Sequence, residues 1–154
     1  MSNMPTKTFQ KVDDSEIFKM HAFIAMVDRM ADEMLNSNFN LSYSQLMILF
    51  MVDKQKEIIQ KDISNCLGVT EAAVSKQIEN MVQIGYLLRT PDPSNRRKNQ
   101  IVLTAVGQDI FDQANRFLVQ KAEDIFTILE PSERQVLDLA LDKLLSKIQI
   151  LLKN

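Results

Sequence analysis

Residues 60–104, QKDISNCLGVTEAAVSKQIENMVQIGYLLRTPDPSNRRKNQIVLT, leave this chain few folds to choose from. The stretch opens with a short apolar-patterned segment, Ile63, Cys66 and Leu67, which Gly68 stops. Thr70 then offers a hydroxyl to the free backbone N–H groups at the start of a second helix. Two helices across so tight a glycine-containing turn are the pattern of a helix-turn-helix. At about 100° per residue, Val74, Ile78 and Met81 share one face of the second helix. Ala72, Lys76 and Gln83 point away from it, with Ser75 and Asn80 on the flanks. That outward face is slim and polar and carries one basic residue, as a helix entering a DNA groove requires.

After Gly85 the period changes. Residues 86–89 and 100–103 are short extended runs, and TPDPSNRRKN between them has the Pro, Ser, Asn and Asp chemistry of a hairpin loop. Arg96, Arg97 and Lys98 stand in a row at its tip. By itself such a run is an ordinary solvated loop. On a hairpin tip beside Lys76 it is placed for phosphate or minor-groove contact. A helix-turn-helix followed by a hairpin with a cationic tip is a winged helix.

On the motif VSKQIENMVQIGYLLR, the wing DPSNRRKNQIVLT, and Gly107 three residues after Thr104, the chain resembles the MarR family of transcriptional regulators. The resemblance extends loosely over the whole chain, whose flanking helices have the family's number, order and length. It implies a wing that inserts into the minor groove. It also implies a homodimer in which the first, fifth and sixth helices interlock two subunits. Members that respond to small aromatic or phenolic molecules bind them in a cleft bordered by the first two helices. Asn95 stands here where the family commonly has an acid before the Arg-Arg pair. Ser64 occupies a position where helix-turn-helix proteins often have Ala, and its hydroxyl can bond back to the preceding turn.

At 154 residues, with 45% apolar and 25% charged side chains, the chain reads as one globular domain with a real core. Three Gly, four Pro and nine Met residues favour a mainly helical fold. No apolar run approaches the roughly 20 residues of a membrane span, and MSNMPTKTFQK lacks a signal-peptide stretch, so a cytoplasmic protein is expected. A single cysteine excludes an internal disulfide framework. The net charge of −2 argues against a charge-driven, unselective nucleic-acid binder. Its distribution matters more. Residues 70–104 hold five basic and three acidic side chains, a local +2 that leaves −4 for the rest. A basic edge on an acidic body concentrates attraction where phosphates would lie.

The flanks read as helices. From Asp13-Asp14-Ser15 a long helix carries Ile17, Met20, Ile24, Val27, Ala31 and Met34 at alternating spacings of three and four, and it stops within residues 36–40. Ser42 and Gln45 form a capping box for a second helix, apolar almost all round, which belongs in the middle of the core. Ile58-Ile59 is suited to a short third strand against the wing. Thr104 caps a fifth helix to about residue 129, with Phe111, Ala114, Leu118, Ala122, Ile125 and Leu129 inward. Pro131 suits the first turn of a sixth, whose seam is Leu137, Leu141, Leu144, Ile148 and Leu151. Such seams fit either an intramolecular bundle or a partner helix. The winged-helix core leaves the terminal helices little else to cover, and the resemblance points the same way, so a homodimer is preferred. The expected division is one domain over 1–154. Within it, 13–36 and 105–153 are dimerisation helices and 42–104 is the DNA-binding lobe.

Enzymatic readings lack parts. His21 is the only histidine, and neither clustered metal ligands nor a phosphate-binding glycine loop is present, so no enzyme, metal or cofactor is expected. His21 reads as structural or solvent-facing. Cys66 reads as core packing rather than a redox sensor, because its helix presents it beside Leu67. Met20, Met26, Met30, Met34, Met47 and Met51 lie at core spacing, and flexible thioethers would also suit an adaptable effector pocket.

The expected protein is mainly α, a winged helix-turn-helix flanked by dimerisation helices. It would bind a roughly two-fold symmetric site in duplex DNA. Thr70 and Ser75 would meet phosphates or base edges, Ala72 and Ala73 permit close approach, and Lys76, Gln77 and Asn80 would approach bases. Asn95, Arg96 and Arg97 belong to the minor-groove tip, with Arg89 and Lys98 on the backbone. The rival is a winged-helix module for protein–protein contact, favoured by the acidic pI of 5.4 and by Glu71 and Glu79 offsetting Lys76.

Overall fold

The computed structural model describes residues 15–55, 58–91 and 99–152. In order they form α1 Glu16–Phe39, α2 Tyr43–Lys54, α3 Gln60–Leu67, α4 Glu71–Gln83, β1 Leu87–Pro91, β2 Asn99–Leu103, α5 Ala105–Phe126 and α6 Pro131–Leu152. The expected mainly helical winged architecture is present. Two compact units divide between Asn115 and Arg116, with α5 passing from the first into the second.

In the first unit, α1 ends where Asn40 turns left-handed, at φ 50°, and returns its N–H to the Asn36 carbonyl. Asp32 of α1 accepts the N–H of Tyr43 at 2.9 Å, tying the first helix to the start of the second. There the Ser42–Gln45 capping box is complete in both directions. Helix α2 buries Leu46, Ile48, Leu49, Met51 and Val52, as its nearly continuous apolar surface predicts. Val74, Ile78 and Met81 of α4, Leu87 of β1, Ile101 of β2 and Phe111 of α5 complete this core with Leu35, Leu41 and Ile63. The rings of Phe50 and Phe111 meet at 6.3 Å, tilted by 54°.

Two expectations fail in this unit. Among the described residues the sheet has two strands, so Ile58-Ile59 is not a third. Ile58 is buried as a core side chain, and the Ile59 carbonyl accepts the N–H groups of Asp62 and Ile63 as the start of α3. Cys66 is exposed rather than packed. The inward face of α3 is Ile63, Ser64 and half-buried Leu67, which turns Cys66 about 100° away from its centre. The Ser64 hydroxyl, buried, donates to the Lys61 carbonyl at 2.9 Å, the back-bond expected of it.

The apolar seam of α1 is buried only near its end. Ala31 and Leu35 are covered, whereas Ile17, Phe18, Met20, Phe23, Ile24 and Met26 are exposed. Of the other methionines, Met51 is buried and Met30, Met34 and Met47 are half-buried; His21 is exposed.

In the second unit, α5 stops at Phe126 instead of near 129. The Thr127 hydroxyl folds back onto the Asp124 carbonyl at 2.7 Å, and the Leu129 N–H onto that of Phe126. Helix α6 opens with Glu133 reaching back to the N–H of Glu130 at 2.9 Å. Arg134 donates to Glu123 at 2.7 Å and lies over the Phe126 ring, and its hydrogen bond holds the Glu123 carboxyl below the usual range. Helix α6 buries no residue. Leu141, Leu144, Ile148 and Leu151 of its seam are all exposed. No described helix is long and apolar enough to cross a membrane.

Candidate nucleic-acid interface

The turn between α3 and α4 depends on Gly68, whose φ of +64° lets its N–H and that of Val69 close on the Ser64 carbonyl. Thr70 caps α4, its hydroxyl oxygen accepting the Ala73 N–H at 3.2 Å. With Val74, Ile78 and Met81 wholly buried, the helix can turn only one way. Thr70, Ala72, Lys76, Asn80 and Gln83 are exposed, while Ala73, Ser75 and Gln77 are half-buried. Lys76 has no ion-pair partner among the described residues.

Helix α4 ends in a Schellman motif. Gly85, at φ +82°, donates to the Val82 carbonyl at 3.1 Å, and Tyr86 donates to that of Met81 at 2.9 Å. Leu87 then starts the wing, which pairs antiparallel with Leu103 opposite Leu87 and Asn99 opposite Pro91. The hairpin base is locked by Thr104. Its N–H donates to the Tyr86 carbonyl at 3.0 Å, its hydroxyl donates to the Gly85 carbonyl at 2.6 Å, and its oxygen accepts the Gly107 N–H at 2.8 Å. One residue thus joins the end of α4, the wing and the first turn of α5.

Four of the expected contact residues also meet neighbours within the chain. Gln77 accepts the Ser44 hydroxyl at 3.0 Å, so its amide points partly toward α2. Asn80 accepts from the Gln45 amide at 3.4 Å. Ser75 donates to Glu79 at 3.3 Å, and Arg89 of β1 lies 3.9 Å from the same carboxylate. That last pair is long and exposed, and such pairs contribute little stability. The Arg89 guanidinium lies beside α4. Asn95, Arg96, Arg97 and Lys98 lie outside the described residues.

Ser44 and Gln45 are the neighbours that the sequence pattern did not bring to this site. The Ser42–Gln45 box marks the start of α2, but nothing local indicates that this start abuts α4. Among the described residues no group of three or more His, Cys, Asp or Glu side chains could hold a metal ion.

Residues 41–98, from the end of the α1–α2 corner to just before β2, match the model of the MarR family. Over this segment the chain is similar to the MarR family. MarR-family proteins are transcription regulators that bind DNA and act as dimers. The multiple antibiotic resistance protein MarR of Escherichia coli K12 is 24% identical over 135 residues, spanning 85% of this chain and 94% of its own. Its apo crystal structure superposes with a TM-score of 0.76 at 23% identity, over 85% of this chain and 97% of that one. A MarR/EmrR-family transcriptional regulator from Acinetobacter sp. ADP1 gives 0.76 at 19% identity, over 90% and 98% of the two chains. MepR, a transcription regulator of the Staphylococcus aureus multidrug efflux pump MepA, gives 0.69 at 20% identity, over 87% and 98%. At these identities the solved structures establish a shared winged-helix fold.

Proposed function

We propose that the protein is a homodimeric, sequence-specific regulator that binds a pseudo-palindromic operator with α4 in the major groove and the wing in the minor groove. The observation that carries this reading is the one-sided burial of α4. Val74, Ile78 and Met81 are sealed in the core, and the slim exposed face presents Thr70, Ala72 and Lys76 at the end of the helix nearest the turn. A helix held this way offers its N-terminal residues to base edges. Thr70 and Ser75 serve phosphates or base edges, Ala72 and Ala73 allow close approach, and Lys76 reads guanine O6 and N7. Gln77 and Asn80 approach the groove from the side facing α2. Arg96, Arg97 and Asn95 form the minor-groove tip, and Arg89 and Lys98 contact the backbone.

Within this reading, residues 42–104 are the DNA-binding lobe and residues 13–36 and 105–153 the dimerisation helices. The exposed apolar side chains of α1 and, separately, of α6 support that role, since each helix leaves a stripe that a partner subunit would cover. A small aromatic or phenolic effector bordered by α1 and α2 would regulate binding by favouring a different spacing of the two lobes. Binding of the purified protein to a genome-derived duplex library at low salt, followed by footprinting, tests the proposal. Protected half-sites with centres one helical turn apart, roughly 34–36 Å, are expected. Absence of duplex binding would leave the interaction-module reading, which Glu71 and Glu79 on α4 favour.

A further inference from the structure

Two amides, one on α2 and one on α4, form a relay whose direction is set by a backbone group. Gln45 Oε1 accepts the N–H of Ser42 at 2.9 Å. A backbone N–H can only donate, so this end of the Gln45 amide is its oxygen. The other end is therefore Nε2, which can only donate, and it points at Asn80, 3.4 Å away. Asn80 must answer with Oδ1. Because Asn80 is exposed on α4, the end left for solvent or DNA is its Nδ2. The Ser42–Gln45 capping box thus fixes the polarity of a side chain 35 residues further along the chain.

We propose that Gln45 is a positioning residue that makes Asn80 a donor-only contact to DNA. The inference rests on the DNA-binding reading above and adds the chemistry of one contact. An Asn free to rotate pairs with adenine through both amide ends, accepting from N6 and donating to N7. Oδ1 keeps a second lone pair, but it is turned toward Gln45, so the contact that needs both amide ends facing one adenine is disfavoured. Asn80 instead suits a group that only accepts: the O6/N7 edge of guanine, the O4 of thymine, or a phosphate oxygen. The N6 amine of adenine and the N4 amine of cytosine, both donors, are disfavoured opposite it.

The test compares wild type with Asn80→Ala, Asn80→Asp and Gln45→Glu on duplexes in which each half-site base pair is varied singly. Asn80→Ala is expected to lower cognate affinity by about fivefold or more. If the loss falls at one base pair, the base contacted is guanine or thymine in the wild-type preference. If it is uniform over all duplexes, the acceptor is phosphate. Either result supports the donor-only assignment. Asn80→Asp keeps an acceptor for Gln45 and offers DNA no donor, so it should lose the same contact without disturbing α2.

Gln45→Glu is the decisive variant. A glutamate still accepts the Ser42 N–H, and Glu is favoured at this position of a capping box, so α2 keeps its start. It has no donor, so Asn80 turns Nδ2 toward it and presents Oδ1 outward. Base preference should then move from guanine or thymine toward adenine or cytosine. For a phosphate contact, Gln45→Glu should weaken binding more with Asn80 present than in the Asn80→Ala background, where only the added charge acts. The proposal is overturned if the wild type prefers adenine or cytosine at the position that Asn80→Ala relaxes. It is also overturned if Gln45→Glu has equal effects in both backgrounds and moves no preference. Wild-type binding by Asn80→Ala alongside weakened Lys76→Ala would sink this inference alone, whereas a wild type that binds no duplex would sink the functional reading.

Discussion

Gly107 faces the carbonyl oxygen of Tyr86 so closely that a β-carbon at this position would overlap that oxygen, far inside van der Waals contact. The carbonyl is held there by the Thr104 N–H at 3.0 Å, and Thr104 in turn accepts the Gly107 N–H. The first turn of α5 therefore presses directly on the backbone where α4 gives way to the wing. Both the wing's position and the exit of α5 depend on the absence of one methyl group.

Gly107→Ala should accordingly destabilise the fold. The obstacle is backbone held by hydrogen bonds rather than a side chain that can swing aside. A loss of about 1–3 kcal/mol, the usual range for overpacking, is expected in urea titrations. An unchanged denaturation midpoint would show that the contact relaxes without cost.

Lys76 and Arg97 should fail differently. Lys76→Ala should cost about 1–3 kcal/mol on the cognate site and relax selectivity at one or two base pairs of each half-site. Arg97→Ala should weaken cognate and random duplexes by similar factors. It should also flatten the salt dependence by about one unit of slope per subunit, about two for a dimer. A salt titration of both variants on cognate and scrambled duplexes separates the two behaviours. Equal effects on both duplexes for Lys76→Ala would remove it from base reading.

Leu144 stands in the exposed seam of α6, a helix that buries none of its residues within the subunit. If a partner subunit covers that seam, Leu144→Glu would place an unpaired charge in an apolar interface, at a cost of several kcal/mol. Sedimentation at micromolar concentration should find a dimer for the wild type and a 17.7 kDa species for the variant. A wild type that sediments as a monomer would refute the assignment of these helices.

Cys66 is exposed, so its thiol should react with a soluble disulfide reagent in the native protein, one equivalent per chain, without denaturant. Cys66→Ser should shift stability by no more than about 0.5 kcal/mol, as for other surface substitutions. Labelling only after unfolding would mean that assembly covers the thiol.

Much of this molecule is legible in short windows of sequence. The hydroxyls of Ser42, Thr70 and Thr104 each cap an N–H three residues away, and Gly68 and Gly85 take the positive φ that helix ends need. The inward face of α4 follows from the positions of Val74, Ile78 and Met81 alone. These features are local, and helical geometry over one or two turns suffices to place them.

Packing decided the rest. Ile63, Cys66 and Leu67 read as the apolar side of an eight-residue helix, yet the fold rotates α3 so that Ser64 is buried and Cys66 faces out. Eight residues give too short a pattern to fix a rotation, and a serine that bonds its own helix can be buried at little cost. Gln77 and Asn80 look free to reach DNA until α2 is set beside α4, which brings Ser44 and Gln45 to them from 33 and 35 residues away. The need for Gly107 likewise arises from a carbonyl on another element. Caps and faces are determined by neighbours along the chain; side-chain polarity and steric exclusion are determined by neighbours in space, which only the folded core brings together.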